Sequence, residues 1–322
     1  NGDGTATFEG NPTGPAGIYQ ITITADNGVE PKATQYFSLR ISHLAECPDE
    51  NSCILNFDIN MDPYLSRTRR VWVYLPPNYD PHGAGYQVIS LTSAQYIFGE
   101  ETGAYTTNDW LFDETLDTLY YKYNQKGTIA IALEHDAHYP WDEYMPWNNY
   151  NMDNWLVGLE VVKGKGNSYL DFIVNILKPI IDTSYRTLPN TENTAIGGGS
   201  RHALFALYAG LRHPDTFSKV IAMSPAIWIA EGGDRLPLGS PIWFSTNQLG
   251  KWLDTNIKPD NVEYFLHIGT NEWQGTGGDY PYAYLSNGTK LDWKDVYLNG
   301  AERIKTKLEL KGDNYHITGG SH

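Results

Sequence analysis

The chain has 322 residues, 41% of them apolar and 13% aromatic, enough for one large hydrophobic core plus a smaller module and too much for a disordered chain. Its formal charge of -15 at pH 7, with a pI near 4.9 and no offsetting basic cluster, argues against nucleic acid or an acidic membrane face as a partner. No apolar run reaches transmembrane length, and no basic segment leading into an apolar one opens the chain, so it reads as a mature or trimmed soluble fragment without membrane insertion.

Residues 1–44 carry short alternating runs between Gly/Pro/Asn turns: Gly4 to Phe8, Gly17 to Ala25 and Ala33 to Ile41. Alternation of Thr, Ile, Tyr and Phe at period two predicts a few antiparallel strands. The run Gly17-Ile18-Tyr19-Gln20-Ile21-Thr22-Ile23-Thr24-Ala25-Asp26-Asn27-Gly28, followed by Ala33-Thr34-Gln35-Tyr36-Phe37, resembles the C-terminal part of a bacterial immunoglobulin-like repeat. That resemblance implies a partial module over 1–44, a spacer or surface attachment leaning on the rest of the chain, with an N-terminal extension packed on the main domain as the plainer alternative. Residues 45–54 read as a linker. They hold the only cysteines, Cys47 and Cys53, around a turn-prone Pro48-Asp49-Glu50-Asn51-Ser52, which suits a local disulfide in an oxidising compartment better than two free thiols.

From residue 55 to 322 the elements lengthen. Strands are predicted at Arg70–Leu75, stopped by Pro76-Pro77, at Tyr86–Leu91 and at Thr128–Leu133, and helices at Trp110–Tyr121 and Tyr169–Ile181. Next comes Thr194-Ala195-Ile196-Gly197-Gly198-Gly199, an apolar strand ending in glycines, then Ser200 and the apolar helix Arg201 to Ala209. Strands at 219–224 and 262–268, a helix at 298–308 and a last strand near 314–318 complete the pattern. Strands alternating with helices predict an α/β fold with a mostly parallel sheet covered on both faces, and in such sheets chemistry collects beyond the strand C-termini.

Ser200 lies at such a position. A serine between a strand and a helix is pushed out over the sheet, with the first helical amides facing whatever its oxygen attacks. Gly198-Gly199-Ser200-Arg201-His202 keeps the first glycine of G-x-S-x-G and puts His202 in place of the last. Two further loops follow strand ends: Gly269-Thr270-Asn271-Glu272 and Gly319-Gly320-Ser321-His322. Alone, Glu272 reads as a solvated turn residue and His322 as a frayed terminus. Together with Ser200 they form the chain order serine, acid, histidine of the α/β-hydrolase arrangement, in which histidine takes the serine proton and the carboxylate holds its ring. The rivals are Asp279 for the acid and His316 for the base, the latter inside the predicted last strand.

Over residues 55–322 the chain resembles the esterase D-like putative esterases, which include feruloyl and acetyl esterases acting on plant polysaccharides, siderophore esterases and mycolyltransferases. The resemblance is carried by Arg70-Val71-Trp72-Val73-Tyr74-Leu75-Pro76-Pro77-Asn78-Tyr79-Asp80, Trp110 to Leu119, Asp142-Glu143-Tyr144-Met145-Pro146-Trp147 and Gly164-Lys165-Gly166 with Tyr169, Phe172 and Ile173. It continues through Lys178-Pro179-Ile180-Ile181-Asp182, Tyr185-Arg186-Thr187, the serine turn, Arg212-His213-Pro214-Asp215-Thr216-Phe217 and Met223-Ser224-Pro225-Ala226-Ile227-Trp228. It implies an α/β-hydrolase fold with Ser200 as nucleophile, Glu272 as acid, His322 as base, and the backbone amides of Arg201 and Gln95 as oxyanion donors. Three departures bear on activity: Thr92-Ser93-Ala94-Gln95 lacks the family's oxyanion-loop glycine, His202 and Ala203 replace two glycines, and Tyr139-Pro140-Trp141 stands where an arginine is usual. A ring at 202 either crowds the helix or reaches the active-site mouth as a polar group.

Neither step of acyl transfer through Ser200 calls for a metal or cofactor. His135, Asp136, His138 and Asp142 could ligate Zn or Ca, but such a loop is more often a hydrogen-bonded rim beside a pocket. Trp110, Trp141, Trp147, Trp228 and Trp273 fall near the presumed active end, where they could stack on an aromatic acid or a sugar, or simply fill core. The expectation is a secreted or cell-surface, bacterial-type serine esterase acting on a small-molecule or polysaccharide-linked ester. The competing expectation is a weakened hydrolase fold used as a carbohydrate-binding or surface-interaction module. Acyl group, alcohol and oligomeric state are not written in the sequence.

Overall fold

The computed structural model describes residues 10, 13, 16–26, 28–29, 31–41, 47, 50–102, 109–135, 141–150, 162–227, 242–243, 248–256, 258–270, 283–284, 290–291, 293–310 and 312–318. Strands β1 (Gly17–Ala25) and β2 (Ala33–Ile41) pair antiparallel, from Gly17 opposite Ile41 to Ala25 opposite Ala33. Among the described residues the N-terminal segment is this two-stranded ribbon and not a sandwich; the expected run Gly4 to Phe8 lies outside them. Most of its side chains face solvent, Tyr36 being 75% exposed. Ala16 joins it to the main sheet: its N–H donates to Asp58 O and its C=O accepts from Asn60 N, both at 2.8 Å.

The main sheet contains β3 (Cys53–Asn60), β4 (Thr68–Leu75), β5 (Gln87–Thr92), β6 (Thr128–Leu133), β7 (Thr194–Gly199) and β8 (Lys219–Met223). After β9 (Ile242–Trp243) it is completed by β10 (Glu263–Gly269) and, beyond β11 (Ala283–Tyr284) and β12 (Lys290–Leu291), by β13 (Tyr315–Thr318). Its order is β13-β10-β8-β7-β5-β6-β4-β3; β5, β6, β7, β8, β10 and β13 run parallel, with β4 antiparallel to β6 and β3 antiparallel to β4. Strands β9, β11 and β12 form a separate small sheet. The result is the expected α/β fold, with a mostly parallel sheet preceded by a small antiparallel β segment.

Strand β3 has no counterpart in the sequence reading, and it starts inside the stretch 45–54 read as linker. Its signal was present: Leu55, Phe57 and Ile59 alternate with Asn56 and Asp58, the pattern of an edge strand buried on one face. Central strands read differently because helices cover both faces. Val71, Val73 and Leu75 of β4 and Ile129, Ile131 and Leu133 of β6 join one core, while Trp72, Tyr74, Ala130 and Ala132 join the other.

On the first face lie the helix Arg201–Arg212, buried from His202 through Leu211, and the helical run Gly166–Phe172, Ile173–Leu177, Lys178–Ser184. Pro179 has no N–H to return to the preceding turn, and that run widens into a π-helical turn over Ile173–Leu177. On the second face the short helix Ala94–Ile97 and the side chains Trp110, Phe112 and Leu116 pack against the sheet. The helix Phe112–Tyr123 buries no residue fully; it is fastened by Asp117, which accepts from Tyr74 Oη (2.7 Å) and Ser52 Oγ (2.8 Å). The C-terminal ends of β5, β6, β7, β8, β10 and β13 all reach one edge, where the candidate site is built.

Candidate active site

Strand β7 ends in glycines because two neighbours come too close for a side chain. A Cβ on Gly198 would sit 2.7 Å from His202 Cβ, and one on Gly199 would strike the Trp110 indole. Ser200 then takes φ 55°, ψ -123°, a region that a residue bearing a Cβ adopts only under constraint. The constraint is visible in its backbone bonds. Ser200 N donates to Met223 O (2.9 Å), and Ser200 O accepts from Leu204 N (3.2 Å) and Ala226 N (3.0 Å). The turn is thus gripped by β8 and the segment after it, with the helix Arg201–Arg212 starting directly behind the serine.

Ser200 opens on a cavity of about 400 Å³ lined by Tyr96, Asp109, Trp110, Gly199, Ser200, Arg201 and His202. Arg201 lays its guanidinium over the Trp141 ring, 4.7 Å from the centroid. Burial, against weaker opposing effects of Tyr144, Tyr96 and Tyr297, draws its pKa below the usual arginine value. His202 is buried and meets Tyr144 edge-on, with centroids 4.2 Å apart and planes at 87°. Burial first, then the charges of Arg201 and His135, hold its pKa well below the ordinary histidine range, so the ring is neutral. It hydrogen-bonds the backbone of Gly199, while Nε2 has no partner among the described residues.

Tyr144 is positioned from beneath. Glu143, fully buried, takes Arg69 Nη2 at 2.7 Å and Arg67 Nη1 at 3.2 Å, so arginines 67 and 69 anchor the loop that carries the His202 platform. Gln95 lies in the helix Ala94–Ile97; its Oε1 accepts from His135 N (3.1 Å) and its Nε2 donates to His135 O (3.4 Å), stitching the loops after β5 and β6 together. The left-handed backbone in this loop belongs to Ser93 (φ 72°), and Ala94 sits fully buried in the helix that follows.

Glu272, His322, Trp228, Trp273 and the rival Asp279 lie outside the described residues, as do Asp136 and His138. The strands that lead to Glu272 and His322 are neighbours: Gly269 of β10 pairs with Thr318 of β13, and Thr270 N donates to Thr318 O (2.7 Å). His316 packs against Phe265 within the sheet, ring centroids 5.1 Å apart and planes tilted by 35°. Trp110 seals Gly199, Trp141 carries Arg201, and Trp147 packs against Tyr208 at 5.2 Å, away from the cavity lining. Asp142 is committed to the 163–165 turn, accepting from Lys163 N (3.0 Å) and pairing with Lys165 (3.5 Å). Tyr96 and Asp109 have no counterpart in the sequence reading; each adjoins a residue that does, Gln95 and Trp110, and only the loop shape brings them to the cavity.

The family described as "Putative esterase" matches residues 63–279, a span that includes the Ser200 turn. The chain belongs to that esterase family. The uncharacterized protein YbbA of Bacillus subtilis (strain 168) is 20% identical to it over 213 residues, 66% of this chain and 72% of the relative. Among solved structures, a ferulic acid esterase superposes with a TM-score of 0.54 at 16% identity, covering 85% of this esterase-family chain and 92% of the other. The enterobactin esterase FES of Shigella flexneri gives 0.56 at 13% identity over 86% of this chain, which spans 55% of that longer protein. At such identities the superpositions establish a shared fold for this esterase-family chain.

Proposed function

We propose that the protein is a serine carboxylic ester hydrolase working through an acyl-enzyme, on a small aryl or acyl ester or one linked to a carbohydrate. The observation that carries the reading is Ser200 in its constrained positive-φ turn, facing a cavity of about 400 Å³ at the start of a buried helix. Cavities of about 300–1,000 Å³ suit small-molecule ligands. In this reading the ester carbonyl oxygen lies between the amides of Arg201 and Gln95. Ser200 Oγ attacks the carbonyl carbon while His322 takes its proton, and Glu272 holds the imidazole. His322 returns that proton to the departing alcohol, then activates a water that releases the acid and regenerates Ser200. The neutral, buried His202 supports the wall of the turn and is no rival for the base. The family's ester-hydrolase relatives and the neighbouring ends of β10 and β13 support this assignment. The Cys47–Cys53 disulfide supports a secreted or cell-surface protein, since such bonds persist in oxidising compartments. A β segment over 1–44 ahead of an esterase domain over 55–322 belongs to the same proposal, supported by the exposure of the β1–β2 ribbon.

Turnover of 4-nitrophenyl acetate and butyrate tests it. Ser200→Ala is expected to lower kcat by about a thousandfold or more with the thermal transition unchanged, and Glu272→Gln and His322→Ala by about a hundredfold or more each. A near-native rate for Ser200→Ala would end the nucleophile assignment. Damage from Asp279→Asn or His316→Ala in place of the other two would move the acid or the base.

A further inference from the structure

Arg201 holds a positive charge in the wall of the cavity with no carboxylate among the described residues to answer it. Among the described residues the ionisable groups that interact with it are Tyr144, Tyr96, Tyr297 and the neutral His202, and its Nε is buried without a hydrogen-bond partner among those residues. In a chain with 38 acidic residues against 23 basic ones, a cavity arginine with no carboxylate partner among the described residues is conspicuous. Buried guanidinium groups are ordinarily paired, because desolvation is repaid only by hydrogen bonds from an anion. The Arg201 Cζ lies 4.7 Å from the Trp141 ring centroid, and Arg201 lines the cavity; a guanidinium carries its N–H groups in a planar fork from which a carboxylate accepts two parallel bonds. Asp109 lines the same cavity but is engaged elsewhere, accepting from Leu111 N at 2.9 Å. Tyr96 and Trp110, stacked with ring centroids 6.4 Å apart, supply aromatic wall to the same cavity.

We propose that the Arg201 guanidinium is a specificity-determining group that binds a carboxylate carried by the substrate, so that the preferred esters are acidic ones whose carboxylate lies close to the scissile bond. The inference rests on the reading of Ser200 as nucleophile. It concerns the side chain of Arg201, whose backbone amide is retained in any substitution. A carboxylate fits the cavity better than a more highly charged anion, which the surrounding net charge of -15 would repel more strongly.

Two matched pairs of esters test both possible positions of the carboxylate: mono-(4-nitrophenyl) adipate against 4-nitrophenyl hexanoate on the acyl side, and 4-acetoxybenzoate against its methyl ester on the alcohol side. The readout is the ratio of kcat/KM for the charged to the neutral member, corrected for uncatalysed hydrolysis. In at least one pair, Arg201→Met is expected to lower that ratio by about tenfold or more, chiefly through KM, with Arg201→Lys in between. A partly folded variant lowers both members together and leaves the ratio alone. If Arg201→Met does not fold, competitive inhibition of the unaltered protein by 4-hydroxybenzoate against 4-hydroxybenzamide replaces it, with the acid expected to bind more tightly. Equal ratios in both pairs for the unaltered protein and Arg201→Met, or equal inhibition by acid and amide, overturn the proposal while the esterase reading stands. Absence of turnover on all four esters overturns the esterase reading itself.

Discussion

His202 shows how one residue outside the expected pattern is absorbed. The ring lies in the first turn of a helix packed against the sheet, edge-on to Tyr144, and its Cβ occupies the space a side chain on residue 198 would need. It is therefore part of the packing that holds Ser200 at positive φ. His202→Gly removes a buried ring and adds backbone freedom, and is expected to cost about 2–4 kcal/mol in denaturant unfolding; unchanged stability would show that the ring does not brace the turn. The neutral state adds a pH signature. A histidine whose folded pKa lies below its unfolded value of about 6.5 contributes stability that is present above that pH and lost as pH falls toward the folded pKa. His202→Gln should flatten the decline in stability below about pH 6.5 by up to about 1.4 kcal/mol per pH unit, the slope for one proton. His213, also held low by burial, stays in both proteins and cancels in the comparison. Identical slopes would contradict the assignment.

At the scale of elements, the site is an assembly of loops held by a few buried polar contacts. The loop 142–145 is fixed by Glu143 under Arg69 and Arg67, and through Tyr144 it supports His202. Breaking a buried ion pair by removing one partner leaves the other charge uncompensated, at about 3–5 kcal/mol. Glu143→Gln should approach that loss in chemical denaturation and also lower ester turnover, since the turn behind Ser200 loses its support; a loss below about 1 kcal/mol would place the strength of this anchor elsewhere. Much of the fold could be read from the chain at this scale. The strand–glycine–helix run at 194–212 announced the turn because apolar periodicity switches there from two to 3.6 around small residues. Strand β3 escaped because its alternation abuts a turn-rich stretch. The stacking of Arg201 on Trp141 and the burial of His202 against Tyr144 were not legible, since both partners sit on a distant loop whose shape is set by tertiary contacts.

For the molecule as a whole, the sheet brings together what the sequence spreads over more than a hundred residues. Ser200, β10 and β13 meet at one edge only because five successive strand pairings run parallel. At the opposite flank the Cys47–Cys53 disulfide, with a sequence separation of 6, ties the incoming chain to the first residue of β3. A loop that short restricts the unfolded chain modestly, so replacing both cysteines by serine should cost about 2 kcal/mol, read as a shift in the denaturant midpoint; an unchanged midpoint would mean that the bond adds nothing to folding. In the proposed function the constrained serine over the cavity is the nucleophile. Its most direct measurement is labelling of the folded protein with a fluorophosphonate probe, followed by peptide mass mapping. One equivalent of adduct on Ser200 is expected, lost in Ser200→Ala and after heat denaturation. Stoichiometric labelling at another serine, or none on folded protein that hydrolyses esters, would contradict it.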